Sequence, residues 1–199
     1  MGKAQRTPPR LPSEMTVDEF FAWEGDGTDR KFELVDGVLR AMAPAAPTHS
    51  LLQARVSRLI GNHLDAKVFP CVVGMAPGVI PKVQSNTNYR IPDIGVFCGR
   101  NLDNDKVLGN PVLLIEVLSP GNKAKTWTNI WAYTTIASVR QLLVIGSTKV
   151  DVKLITRQTD GTWPDSPQSL GREDQAVLDC IEMVLPVEAI YRGTRLGAE

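Results

Sequence analysis

The chain has 199 residues, 43% hydrophobic and 22% charged, with 22 basic and 22 acidic side chains that cancel to a formal net charge of zero. That size can bury a substantial core, and no apolar run approaches the roughly 20 residues a bilayer span needs. The neutral balance argues against a generic nucleic-acid binder, whose affinity comes from a basic excess, but less against a nuclease with a small local groove.

Residues 1–13 carry Lys3, Arg6, Arg10 and three prolines, with no large apolar side chain between Met1 and Leu11, and read as a mobile arm ahead of one domain over 14–199. The amino-terminal stretch lacks the apolar centre of a secretion signal, which predicts a cytoplasmic protein. Cys71, Cys98 and Cys180 are widely spaced, without a C-x-x-C pair, and read as reduced, buried small hydrophobes with neither a disulfide framework nor a zinc site.

Met15 to Trp23 predicts a helix, with Thr16 as N-cap and Glu19 three residues on completing a capping box. Phe32 to Met42 predicts a hairpin turning at Asp36-Gly37, since this dipeptide tolerates the positive φ angles of a tight turn. From about Thr48 to Ala66, Leu52, Val56, Leu59, Ile60 and Leu64 recur at helical spacing. Short strands are expected at Cys71–Gly74 and Gly78–Val83, then two longer ones at Arg90–Phe97 and Pro111–Leu118. Both alternating faces of the last are apolar, the mark of a strand covered on both sides. A helix near Lys125–Ile136, strands at Gln141–Ile145 and Lys149–Thr156, a turn at Asp160-Gly161, a strand at Ala176–Leu178 and a helical turn after Pro186 complete the pattern. The fold class is α/β (α+β), a mixed sheet with helices packed on it and an added N-terminal helix and hairpin.

Asp93 and Glu116 stand out because each lies in a segment that otherwise reads as a buried strand. An ionised carboxylate is costly to bury without a cation or several donors. Two of them 23 residues apart point to a shared cation, and hard oxygen ligands are what Mg²⁺ selects. The competing reading for Glu116 is a buried ion pair with Arg90; for Asp93, a turn residue after Pro92; for Glu33, an exposed strand glutamate. His49, near the start of the long helix, either contacts a phosphate or assists proton transfer, or else bonds to nearby backbone. His63 lies on the apolar stripe and reads as packing. Trp127 and Trp131, four apart, read as core or dimer packing, or as a base-stacking platform.

Taken in order, Phe32-Glu33-Leu34-Val35-Asp36-Gly37, Met42-Ala43-Pro44 with His49, Tyr89-Arg90-Ile91-Pro92-Asp93, Glu116-Val117-Leu118-Ser119-Pro120 and Trp131-Ala132-Tyr133 resemble the Uma-two family of endonuclease-like proteins. That family belongs to the PD-(D/E)XK nuclease superfamily, and the likeness spans about residues 15 to 157. It implies a restriction-endonuclease-like core and metal-dependent hydrolysis of DNA phosphodiester bonds. Asp93 and Glu116 would hold Mg²⁺ or Mn²⁺ with the backbone carbonyl of Val117, and Glu33 would be a further ligand or orient a water. It also implies self-association as a homodimer. The chain departs from the pattern at the signature lysine, since Leu118 stands two residues after Glu116. A lysine common on the next helix, four before the tyrosine, is here Asn129. Lys125 shares a helix face with Asn129 and is the candidate replacement. The alternative is a nuclease-fold protein without cleavage, acting as a nucleic-acid or protein-interaction module.

Overall fold

The computed structural model describes residues 14–99, 106–107 and 109–197; the arm expected over residues 1–13 lies outside them. A short helix α1 (Val17–Ala22) begins at Thr16, whose hydroxyl accepts the Glu19 N–H while the Glu19 carboxylate accepts the Thr16 N–H, the reciprocal capping box. The hairpin β1 (Phe32–Val35) and β2 (Val38–Ala41) turns on Asp36 and Gly37, with φ of 51° and 81°. Helix α2 (Pro47–Lys67) buries Leu52, Val56, Ile60 and Leu64 along one stripe.

Six strands form the main sheet in the order β3-β4-β5-β6-β7-β8: β3 (Cys71–Met75), β4 (Ile94–Cys98), β5 (Pro111–Leu118), β6 (Gln141–Gly146), β7 (Val152–Thr156) and β8 (Gln168–Leu170). All neighbours are antiparallel except β5 and β6, which run parallel, so the sheet is mixed. Helix α3 (Lys123–Tyr133) makes the return between those two parallel strands. A second hairpin, β9 (Gln175–Leu178) with β10 (Met183–Pro186), and helix α4 (Val187–Tyr191) end the described chain.

Alternation along β5 divides the interior. Leu113, Ile115 and Val117 face a core shared with α2, the second hairpin and α4, whereas Leu114 and Leu118 face a core built around Ile130 and Tyr133 of α3. Glu116 shares the second face by strand periodicity. A third, smaller cluster of Met15, Val17, Phe32, Leu34 and Leu39 anchors α1 to the first hairpin.

Three expectations need correction. Gly78–Val83 is not a strand: Val79 makes one bridge to Arg90, and Pro77 and Pro81 on either side lack the N–H a longer ladder would need. The carboxylate strand begins at Ile94, leaving Asp93 one residue before it, because Pro92 likewise offers no donor. Cys71 and Cys98 form a disulfide rather than standing reduced, since they are direct cross-strand partners in the β3–β4 register. Sequence spacing alone does not reveal that register. Cys180 is free, and no helix among the described residues is long and apolar enough to cross a membrane. The strands β8 and β10 were not foreseen.

Candidate active site

Backbone pairing carries three distant segments to one place. Leu34 in β1 exchanges both hydrogen bonds with Tyr89, N–H to carbonyl at 2.9 Å in each direction, and Arg90 does the same with Val79. The hairpin is thereby fixed against the segment that leads into Asp93. Glu33 Oε1 accepts the Ile91 N–H at 3.0 Å, two residues before Asp93. On the other side, Asp93 Oδ2 accepts the Val117 N–H at 2.6 Å, taking over where the β4–β5 ladder ends at Ile94 and Ile115. Glu33, Asp93 and Glu116 are thus drawn together at the mouth between the two strands, only 1%, 9% and 7% exposed, and all three line a cavity of about 790 Å³.

The helices add the remaining polar groups. His49 and Gln53, one turn apart on α2, both reach Asp93 Oδ1, at 3.0 and 2.7 Å. The other ring nitrogen of His49 lies 3.1 Å from the Ser119 hydroxyl. From α3, Tyr133 donates its hydroxyl to Glu116 Oε1 at 2.8 Å, and Asn129 Nδ2 approaches Glu33 Oε1 at 3.4 Å. Lys125 Nζ lies 2.5 Å from Glu33 Oε2. This contact is a close ion pair that ties α3 to the first hairpin.

Arg90 does not pair with Glu116. Its buried guanidinium donates to Asn129 Oδ1 at 3.0 Å and to Asn88 Oδ1 at 2.7 Å. Burial lowers its pKa from the usual arginine value, opposed by the charge of Glu33. Glu116 is pushed the other way, well above the usual carboxylate range. Burial is the main cause, and the neighbouring charge of Asp93 adds to it, with the Tyr133 hydroxyl opposing. The Tyr133 hydroxyl is itself raised well above its ordinary value, by burial and then by Glu116, and so stays a proton donor. Among the described residues, Glu116 is therefore a buried carboxylate beside two others, steadied by Tyr133 and Asn129 but in no salt bridge with a cation.

Among the described residues, no group of three or more His, Cys, Asp or Glu side chains is arranged to hold a metal ion. Glu33 is engaged by Lys125, and Asp93 by three donors, which leaves a pair rather than a triad. A pair of carboxylates still fits Mg²⁺, which is usually held by one or two carboxylates and completes its shell with water. The all-oxygen donor set suits a hard cation, and the raised Glu116 pKa is what such a cation would relieve. Val117 lines the cavity, and the group it is seen to use is its N–H.

The sequence reading singled out Glu33, Asp93, Glu116 and Lys125, and the structure brings all four together. His49 bonds to side chains of the site rather than to backbone. Gln53 and Ser119 join the site beside those four, and the four-residue spacing from His49 to Gln53 is the signal the sequence carries for the first of them. His63 packs, stacked on Phe69 and bonded to the Ile181 carbonyl at 2.8 Å. Trp127 and Trp131 sit about half a turn around α3 from Lys125 and Asn129, Trp127 partly buried and Trp131 44% exposed.

A family model described as "Putative restriction endonuclease" (Uma2) matches residues 17–188. An uncharacterized protein of Synechocystis sp. is 29% identical over 182 residues, covering 90% of this chain and 93% of that protein. A crystal structure described as a putative nuclease belonging to DUF820, from Anabaena variabilis, is similar with a TM-score of 0.73 at 16% identity, over 89% of this chain and 97% of that one. At such low identity the likeness speaks for the fold.

Proposed function

The chain belongs to the Uma2 family, and from that premise we propose that it is an endonuclease hydrolysing DNA phosphodiester bonds with a bound divalent cation, Mg²⁺ or Mn²⁺. The observation that carries this reading is the buried Glu116 beside Asp93 and Glu33, an anionic cluster short of one cation. In this reading Asp93 and Glu116 hold the ion, with the Val117 carbonyl as a third oxygen. When bound, such a cation supplies Lewis acidity that lowers the pKa of water and offsets charge on phosphoryl oxygens.

The remaining steps fall to the chain's own residues. Glu33, paired through Oε2 with Lys125, lines the cavity and in this reading orients the attacking water together with that lysine. The Lys125 ammonium lends positive charge where the phosphate becomes more negative, the role left open by Leu118. The Tyr133 hydroxyl holds Glu116 Oε1 in place. The neutral net charge counts against a generic nucleic-acid binder, and less against a nuclease with a small local groove.

Leu118 at the position of the signature lysine favours a second reading, a nuclease-fold module that binds nucleic acid or protein without cutting. Plasmid DNA incubated with Mg²⁺ or Mn²⁺ separates the two. The endonuclease reading expects nicking or linearisation by the wild type, abolished by chelator and by Asp93→Ala. DNA retained but intact with every metal supports the module.

A further inference from the structure

The imidazole of His49 bridges two strand ends that the sheet leaves apart. The β4–β5 ladder stops at the pairing of Ile94 with Ile115, so Asp93 and Ser119 lie beyond it on separate segments. His49 Nε2 is 3.0 Å from Asp93 Oδ1, and Nδ1 is 3.1 Å from Ser119 Oγ. Gln53, one turn further along α2, donates to the same Oδ1 at 2.7 Å, and the Val117 N–H occupies Oδ2 at 2.6 Å.

Donor and acceptor chemistry fixes the direction at Asp93. A carboxylate accepts, so Nε2 carries a hydrogen and donates to Asp93 Oδ1, while Nδ1 shares a hydrogen bond with the Ser119 hydroxyl. A carboxylate offers about four acceptor positions. Two on Oδ1 are taken by His49 and Gln53 and one on Oδ2 by Val117. The direction left open is on Oδ2, beside the residue that follows Glu116.

We propose that His49 and Gln53 are positioning residues that lock the Asp93 carboxylate so that Oδ2 presents one free lone pair to a divalent cation, with Ser119 orienting the histidine ring. The inference rests on the reading that Asp93 and Glu116 hold that cation. Partners of this kind, which orient a ligand without touching the ion, typically change metal affinity by 10- to 100-fold. A histidine that merely pinned the start of α2 to the sheet would change stability and leave affinity alone.

The test is calorimetric titration of the full-length protein with Mn²⁺, alongside thermal unfolding of each variant without metal. The wild type is expected to bind one Mn²⁺ and Asp93→Ala none. His49→Ala is expected to bind at least about tenfold more weakly. His49→Gln, which keeps a donor, should recover most of that loss, and Ser119→Ala should weaken binding by less than His49→Ala does. Wild-type affinity in His49→Ala with a lowered unfolding midpoint overturns the inference and leaves the cation reading intact. No Mn²⁺ binding by the wild type overturns both. If His49→Ala does not fold, Gln53→Ala and Ser119→Ala decide, and wild-type affinity in both overturns the proposal.

Discussion

Lys125 reaches from the first turn of α3 to Glu33 in the first hairpin, placing its ammonium 2.5 Å from Oε2 at the wall of the cavity. One partner is almost wholly enclosed and the other part-exposed, with side chains 1% and 27% accessible. The pair therefore joins two elements that share no strand ladder, and it puts an ammonium at the wall of the cavity that Asp93 and Glu116 also line.

Replacing Lys125 by alanine leaves Glu33 enclosed without its counter-charge. Breaking a fully buried pair costs about 3–5 kcal/mol; the exposure of the lysine lowers that to roughly 2 kcal/mol here. Chemical denaturation measures the loss. Metal-dependent DNA cleavage is expected to fall at least about tenfold, with part restored by Lys125→Arg. Undiminished cleavage in Lys125→Ala removes this lysine from the mechanism.

Glu116 makes stability depend on pH. Its folded pKa lies well above the ordinary 4.5, so in the window between those two values the folded state holds a proton that the unfolded chain has released. Metal-free stability is therefore greatest below the unfolded value, falls as pH rises through the window, and levels off above the folded value. Thermal unfolding across this range should show that slope, and Glu116→Gln should lose it. Mn²⁺, which favours the ionised carboxylate, should flatten it as well. A Glu116→Gln protein with an undiminished slope contradicts the assignment.

Arg90 is a buried cation held by two asparagines rather than by a carboxylate. Lysine cannot reproduce the forked donation to Asn88 and Asn129. Arg90→Lys is thus expected to destabilise the protein by about 1–3 kcal/mol, the cost of stranding buried acceptors. It should also weaken cleavage, because Asn129 loses the contact that steadies it beside Glu33. Wild-type stability in this variant would mean the fork is dispensable.

Local features were the legible ones. Thr16 and Glu19 announce a capping box three residues apart, and Asp36-Gly37 announces a turn, because neighbours in sequence determine both. The covered strand at Pro111–Leu118 showed through its apolar run, and it is indeed central, with two strands on one side and three on the other. Features that depend on distant partners did not show. The Cys71–Cys98 disulfide needs the β3–β4 register, and the bonds of His49 are to residues 44 and 70 positions away. Gly78–Val83 looked like a strand by composition, yet its prolines allow one bridge. The sequence could place carboxylates in apolar segments. It could not say that Arg90 would turn to asparagines and leave Glu116 without a cation.

The most direct test is a crystal soaked in Mn²⁺, examined by anomalous scattering. The account predicts one strong peak between Asp93 and Glu116, within about 2.0–2.3 Å of an oxygen from each. A fully soaked crystal with no peak there, or with the two carboxylates turned apart, would contradict it.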